Sequence, residues 1–202
     1  DLKLNIDFPL KIYSIDKECF KLLQEENYTN SVLLGDIHSK SAKYQDENWS
    51  LVTMQKVYAI RKELDESEFV VYIDGDITVE DSRFITYCYE KMLNDPELDM
   101  LAQREWRGPK DNSEICSGFL VIRSNEKTKK MFEVDKEYRN DQHFVNSKKK
   151  TIKYELLSEK LFPNGKQYYK YKNELNPYLI HFNFVMSHDK INRIKKHGRW
   201  YI

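Results

Sequence analysis

The stretch FVVYIDGD, residues 69–76, decides the fold. The run Phe69–Ile73 is β-branched and aromatic throughout, which is typical of a central strand covered by helices on both faces. Asp74 and Asp76 follow the strand, and Gly75 between them lets the backbone bend tightly. Two close carboxylates repel each other unless a cation offsets their charge, and hard ions such as Mn²⁺ and Mg²⁺ prefer oxygen ligands. The stretch predicts a metal site at the edge of a sheet, with an ordinary polar turn as the alternative.

Predicted strands and helices alternate on both sides of this run. Apolar residues recur at helical spacing in segments such as residues 49–64, whereas short β-branched runs indicate strands. The predicted strands are residues 10–15, 31–35, 69–73, 100–103, 117–123, 152–157 and 178–182. The predicted helices are residues 17–26, 49–64, 81–93, 126–138, 141–146 and 188–198. Asp16 is predicted to start the first helix, and Gly198 to end the last. Residues 161–171 are predicted to be loop and sheet edge. The alternation indicates an α/β fold around a mainly parallel sheet, with ligands bound after Ile73, Val121 and Ile180.

Composition restricts the class of protein. The 202 residues are 40% apolar and 33% charged, as in one water-soluble globular domain. Because 33 basic residues balance 33 acidic ones, no overall charge attracts nucleic acid or an anionic membrane. No apolar run is long enough to span a bilayer, and the first residues lack a secretory pattern. Three widely spaced Cys without a CxxC pair indicate reduced thiols, so a cytoplasmic protein without a membrane span is expected.

Three further groups of polar residues could take part in binding or catalysis. His181, near the end of the last predicted strand, would suit a Mn²⁺-like ion, although a lone His at a strand is more often structural. His188 and Lys190 could neutralise diphosphate oxygens, or belong to a segment that caps the last helix. Asp141 and Gln142 could hold a sugar or supply a base, or form an ordinary helix N-cap. The residue pattern alone leaves these alternatives open.

Four stretches, taken in order, resemble the GT-A-fold glycosyltransferases of the nucleotide-diphospho-sugar transferase family. They are residues 49–64 with Lys56, residues 70–82 (VVYIDGDITVEDS), residues 116–123 (CSGFLVIR) followed by Asn140-Asp141-Gln142, and residues 179–202 (LIHFNFVMSHDKINRIKKHGRWYI). Their order and spacing carry the resemblance, because an Asp-x-Asp pair alone is common. Two positions depart from the family pattern: Cys116 stands where Asn is usual, and Ser187 where Gly is frequent.

The resemblance implies a GT-A, Rossmann-like single domain over residues 1–202. Residues 1–110 would form a nucleotide-binding half, and residues 111–202 an acceptor half with the closing metal and diphosphate segment. The implied ligands of Mn²⁺ or Mg²⁺ are Asp74, Asp76 and His181. The implied donor-binding residues are Tyr13, Ser14, Ile15, Asp16, Lys56, Asp74, Asn183, His188 and Lys190. The implied sugar and acceptor residues are Ser117, Gly118, Asp141 and Gln142, with Trp106 and Arg107 as residues that could close over the site.

The expected activity is transfer of a hexose or deoxyhexose from a nucleotide-diphosphate sugar, more often a UDP-sugar in this family, to a glycan or glycoprotein acceptor. Asp76 would act through the metal, and Asp141 is the first candidate for the base that inversion requires. A nucleotidyltransferase would need a Gly-rich, basic loop after the first strand, and residues 13–20 (YSIDKECF) contain no Gly. A carbohydrate- or nucleotide-binding module without catalysis is the remaining alternative.

Overall fold

The computed structural model describes residues 9–35, 47–108, 113–185 and 187–200; the side chains of Glu47, Ser187 and His188 lie outside this description. Within these ranges the strands are β1 (Ile12–Ser14), β2 (Ser31–Leu33), β3 (Phe69–Ile73), β4 (Ile77–Val79), β5 (Met100–Arg104), β6 (Ile115–Arg123), β7 (Tyr154–Leu156) and β8 (Leu179–His181). The helices are α1 (Lys17–Glu25), α2 (Glu47–Glu66), α3 (Arg83–Asn94), α4 (Glu126–Met131), α5 (Asp141–Lys148), α6 (Gly165–Tyr171) and α7 (Ser187–Lys196). None of these helices is both long and apolar enough to cross a membrane.

The central sheet has the strand order β3-β6-β5-β7, and two smaller sheets pair β1 with β2 and β4 with β8. The pairs β1–β2 and β5–β7 are parallel. Strand β6 is antiparallel to both of its neighbours, and β4 is antiparallel to β8. The predicted α/β fold is confirmed, and its sheet is partly parallel rather than mainly parallel. An apolar run predicts a buried strand but does not encode the direction of its neighbours, which tertiary contacts decide.

The antiparallel direction of β6 places its beginning, rather than its end, beside the end of β3. Ile73 pairs with Phe119, and the Asp74 N–H donates to the Gly118 carbonyl at 2.8 Å. The expectation that the residues after Val121 share a sheet edge with those after Ile73 was therefore wrong. Because β6 runs opposite to β3, the residues before Phe119 take that place.

Strand β6 is buried on both faces of the sheet. Leu120 and Ile122 pack with side chains of α2, α4 and α5. Phe119 and Val121 point the other way and pack with α3 and residues 157–162. Burial of each such side chain stabilises the fold by about 1.5–3 kcal/mol. The strand is therefore a rigid support for the residues at its beginning.

Several predicted elements agree with the structure in their details. The run Phe69–Ile73 is β3, although it stands at the edge of its sheet with Val71 42% exposed and is not the central, fully covered strand that was predicted. Asp16 caps α1, since its carboxylate accepts the Cys19 N–H at 2.7 Å. Gly198 follows the last helix with a φ of 67°, the left-handed conformation in which glycine commonly ends helices.

Three segments differ from prediction. Helix α6 occupies residues predicted as loop, because Asn164 accepts the Gln167 N–H at 3.1 Å and starts a helix instead of a turn. The helix predicted for residues 126–138 ends at Met131, and Tyr138 packs edge-on against an aromatic ring of α5. Strand β4 was not predicted, since its three residues are too few to give a periodic signal.

Candidate metal and donor site

Three ligating groups converge where β3 and β8 end. His181 Nε2 lies 3.2 Å from Asp76 Oδ1 and 3.9 Å from Asp74 Oδ2. One ligand atom of each residue lies within 4.8 Å of the others. An ion bound about 2.0–2.2 Å from each ligand requires ligand atoms separated by about 3–4 Å. The donor set and its spacing fit a divalent ion, so the structure brings the three predicted ligands together.

The register of β4 with β8 sets the position of His181. Ile77 pairs with His181, and the Phe182 N–H donates to the Asp76 carbonyl at 2.9 Å. Because β4 begins directly after Asp76, this short antiparallel pair places the imidazole beside both carboxylates.

Each carboxylate contacts a lysine through its other oxygen. Lys56 Nζ lies 2.8 Å from Asp74 Oδ1, and Lys190 Nζ lies 2.6 Å from Asp76 Oδ2. Burial alone would raise the pKa of Asp76, but the contacts with His181 and Lys190 outweigh it and hold that pKa well below its usual range. Asp76 is therefore ionised at neutral pH, as a metal ligand must be.

Gly118 leaves the space that this cluster needs. A Cβ atom at residue 118 would lie 2.2 Å from His181 Cε1 and 2.9 Å from Asp74 Oδ2. Real side chains do not approach other atoms so closely, so any other residue would displace the imidazole or the carboxylate. The absence of a side chain at Gly118 is a condition for the metal site.

A second polar cluster adjoins the first through Lys56. Lys56 Nζ also lies 2.8 Å from Asp141 Oδ2, and the Ser117 hydroxyl donates to the same carboxylate. Burial alone would lower the pKa of Lys56, but the charges of Asp74 and Asp141 raise it well above its usual value. Lys56 is thus a permanent cation between two carboxylates.

Asp141 occupies the first position of α5 because Asn140 caps that helix. The Asn140 side chain accepts the His143 N–H at 2.8 Å. The predicted alternative, an ordinary helix cap, therefore applies to Asn140, whereas Asp141 is buried at the site. Gln142 follows with a half-buried side chain, and its carbonyl accepts from Asn146 at 2.9 Å.

The predicted nucleotide-binding residues lie along β1 and the start of α1. The Tyr13 hydroxyl donates to Glu63 of α2, and burial together with this contact raises the pKa of Tyr13 to about 12. The Ser14 hydroxyl donates to the Asp16 carbonyl at 2.7 Å. Contact of these residues and of Ile15 with a nucleotide stays a prediction.

Asn183 and α7 complete the candidate site. Asn183 Oδ1 accepts the Gly165 N–H at 2.7 Å, and Asn183 Nδ2 lies 3.7 Å from Cys116 Sγ. Asn183 therefore braces the site against the start of α6. Lys190 reaches the metal cluster from α7, while the side chain of His188 lies outside the described part of the structure.

Sequence reasoning missed a buried polar group behind the imidazole. Gln103, Glu105 and Asn164 are each at most 4% exposed. Gln103 Oε1 lies 2.8 Å from His181 Nδ1. In the sequence, this buried group is indicated by Gln103, a polar residue that directly follows the apolar residues of β5. Trp106 is buried, and its backbone carbonyl accepts from the Asn164 side chain at 3.0 Å.

The model of the nucleotide-diphospho-sugar transferase family matches residues 10–194. A UDP-galactose:fucoside alpha-3-galactosyltransferase of Dictyostelium discoideum is 28% identical over 203 residues, covering 82% of this chain and 30% of the relative. The chain thus spans less than a third of the length of that relative.

Two solved structures share the fold. One is a glycosyltransferase involved in the glycosylation of the major capsid of PBCV-1, with a TM-score of 0.57 and 14% identity over 91% of this chain and 96% of that one. It is a chlorovirus enzyme, and the motifs quoted above also resemble the glycosyltransferase domain of a large chlorovirus enzyme. The other is mouse xyloside xylosyltransferase 1, with a TM-score of 0.52 and 12% identity over 88% of this chain and 85% of that one. At these identities the likeness shows the fold alone.

Proposed function

Because the chain belongs to the nucleotide-diphospho-sugar transferase family, we propose that it is a metal-dependent glycosyltransferase. It moves a hexose or deoxyhexose from a nucleotide-diphosphate sugar to a hydroxyl of a glycan or glycoprotein. The observation that carries this proposal is the convergence of Asp74, Asp76 and His181, with Lys56 and Lys190 beside them. Such a set of ligands and cations suits a diphosphate, which needs positive charge from both metal and protein.

The donor would bind with its diphosphate against the metal cluster. Lewis-acid stabilisation of the departing nucleoside diphosphate is the chemistry that Mn²⁺ or Mg²⁺ supplies when bound there. Lys190, whose side chain is 32% exposed, places a further cation on the same side. The base and ribose would lie along Tyr13–Asp16, within the nucleotide-binding half, residues 1–110. A UDP-sugar is the donor we propose first, since the Dictyostelium relative is named for UDP-galactose.

The transferred sugar would lie against Asp141, Ser117 and Gln142, in the acceptor half, residues 111–202. The Asp141 carboxylate holds both Lys56 and Ser117 through Oδ2. That oxygen is already engaged by two donors, so it is poorly placed to take a proton from an acceptor hydroxyl. We therefore propose that Asp141 positions a sugar hydroxyl rather than acting as the catalytic base.

The acceptor would bind in a groove beside Asn183. A cavity of about 500 Å³ is lined by Lys166, Tyr169, Lys170 and Phe184. Phe184 is 51% exposed and has a φ of 60°, an unusual conformation for a bulky residue. Such strain tends to occur at functional sites, where the surroundings impose it. Here the Tyr169 hydroxyl donates to the Asn183 carbonyl at 3.1 Å and holds the preceding residue in place.

Release of nucleoside diphosphate tests the proposal. The protein is incubated with UDP-galactose, UDP-glucose or GDP-fucose and Mn²⁺, with and without p-nitrophenyl fucoside, because the Dictyostelium relative is named for a fucoside acceptor. We expect release from one of these donors, stimulated by the acceptor and abolished by EDTA. Asp76→Ala should lower the rate about 10²–10³-fold or more, the scale of losing one preorganised electrostatic group.

Glu97→Ala serves as the matched control, since that carboxylate is 85% exposed. Full activity of Asp76→Ala, or activity unaffected by EDTA, would contradict the metal role. Binding of nucleotide sugars without any release of diphosphate would instead identify a binding module without catalysis.

A further inference from the structure

The buried side chain of Gln103 lies directly behind the proposed metal ligand His181. His181 is 3% exposed, and its two ring nitrogens face different partners. Nε2 faces the carboxylate of Asp76 at 3.2 Å. Nδ1 faces Oε1 of Gln103 at 2.8 Å and, less closely, Sγ of Cys116 at 3.4 Å.

The orientation of the Gln103 amide follows from its other contacts. Gln103 Nε2 lies 3.2 Å from the Phe162 carbonyl and 3.1 Å from the Pro163 carbonyl. Carbonyl oxygens only accept hydrogen bonds, so the NH₂ group must point at them. The oxygen Oε1 is then the atom that faces His181, and an amide oxygen can only accept. Nδ1 of His181 therefore carries a proton, independently of the proton that Nε2 can share with the Asp76 carboxylate when no ion is bound.

The backbone of β5 is shaped to present this amide. The register of β5 against β6 shifts between Ala102 and Gln103. Such bulges commonly redirect a side chain next to a functional site. The shift lets Gln103 turn toward β8 although the preceding residues of β5 pack in the apolar core.

We infer that Gln103 is a positioning residue that keeps a proton on Nδ1 of His181 and holds the ring so that Nε2 is the nitrogen available to the ion. This inference rests on the proposed function for the ion, but the position of the proton is a property of the protein alone. Partners of this kind, behind a ligating His, commonly change metal affinity by about 10–100-fold when removed.

The test compares Gln103→Met, which removes both the acceptor and the donors, with Gln103→Glu, which retains an acceptor at Nδ1. Gln167→Leu is the matched control, because Gln167 is also buried but its Oε1 has no partner among the described residues. The first measurement is the ¹H–¹⁵N signal of the His181 Nδ1–H in metal-free protein labelled with ¹⁵N-histidine, assigned with His181→Gln. The second is Mn²⁺ affinity, obtained from the electron paramagnetic resonance signal of the free ion.

We expect a slowly exchanging Nδ1–H in the wild type, in Gln103→Glu and in Gln167→Leu. Gln103→Met should lose this signal and bind Mn²⁺ about 10–100-fold more weakly. A wild-type His181 protonated only on Nε2, or an unchanged Nδ1–H in Gln103→Met, would overturn the inference. If the Nδ1–H behaves as expected but Mn²⁺ binding is absent, the metal role under the proposed function fails, while the position of the proton stands.

Discussion

Lys190 Nζ lies 2.6 Å from Oδ2 of Asp76, although 114 positions of sequence separate the two residues. The other oxygen of the same carboxylate faces His181. Helix α7 thus contacts the cluster of Asp74, Asp76 and His181 although it is distant from both carboxylates in sequence. The Asp76 carboxylate faces the Lys190 cation with one oxygen and the His181 imidazole with the other.

The contact between Lys190 and Asp76 predicts a pH-dependent contribution to stability. Together with His181, Lys190 lowers the pKa of Asp76 in the folded protein against the effect of burial. The contact therefore stabilises the fold above the unfolded-state pKa of about 3.9, and this contribution is lost as the pH falls below that value. Lys190→Met should be less stable than wild type at pH 7, with a difference that shrinks toward pH 3.

Urea unfolding in EDTA, followed between pH 3 and 7, measures this difference. Lys196→Met, on the same helix, should show a small difference that does not depend on pH. A constant gap between Lys190→Met and wild type over this range would contradict the assignment.

Gly118→Ala should damage the site because its new Cβ meets the His181 ring at 2.2 Å. We expect a loss of about 1–3 kcal/mol in the free energy of unfolding, as in other overpacked positions, and a drop in Mn²⁺ affinity of about 10–100-fold. Gly75→Ala is the matched control, since nothing lies within 4 Å of a Cβ there. Its stability should change by no more than about 0.5 kcal/mol. Equal effects of the two substitutions on the free energy of unfolding would show that contact between a Cβ at residue 118 and the His181 ring does not destabilise the protein.

Lys56→Met should leave the carboxylates of Asp74 and Asp141 without their shared cation. Breaking a buried ion pair from one side costs about 3–5 kcal/mol, so the variant should be strongly destabilised at pH 7. Adding Asp141→Asn should restore part of this loss, because one of the two repelling charges is removed. In chemical denaturation, Lys91→Met, which breaks a more exposed pair with Glu155, should cost at most about 1 kcal/mol. A double variant no more stable than Lys56→Met would contradict the shared-cation arrangement.

The three cysteines should differ sharply in reactivity. Cys19 is exposed, whereas Cys88 and Cys116 are buried. Burial raises the pKa of Cys88 to about 12 and that of Cys116 well above its usual value, so neither forms appreciable thiolate at pH 8. A thiol reagent such as DTNB should modify one cysteine quickly in the native protein and all three in urea. Rapid modification of a second thiol without unfolding would show that a buried cysteine becomes accessible.

Phe184→Gly should separate acceptor binding from donor chemistry. Glycine accepts the φ of 60° at this position without strain, so the variant should be more stable than Phe184→Ala by about 1 kcal/mol. Both variants should lose acceptor-stimulated release of diphosphate while release in the absence of acceptor is unchanged. Tyr58→Ala, at a residue of similar exposure, should affect neither rate. If Phe184→Gly uses the acceptor normally, the groove beside Asn183 is not the acceptor site.

The sequence predicted those parts of the molecule that depend on local patterns. The run Phe69–Ile73 is a strand because β-branched and aromatic residues favour extended backbone, and Asp16 caps a helix through a contact three residues away. The grouping of Asp74, Asp76 and His181 was predicted from the resemblance to the transferase family, which the order and spacing of the motifs carry, and the structure brings the three side chains together.

The parts that could not be predicted depend on contacts between distant segments. Nothing in the apolar run of β6 states that it is antiparallel to β3, and this direction is what brings Gly118 beside Asp74. Asn164 followed by a glycine is compatible with a turn or with a helix cap, and only packing decides for the helix. Gln103 was missed because its partner His181 is 78 positions away.

The separation of Lys190 from Asp76 has a consequence during translation. Synthesis on the ribosome proceeds from the amino terminus, so the carboxylates emerge long before the lysine and the imidazole that hold them. A nascent chain in which α7 has not yet been synthesised therefore cannot form the contact between Lys190 and Asp76. The cluster of Asp74, Asp76, His181 and Lys190 is completed only after α7 has been made, so it belongs to the later steps of folding.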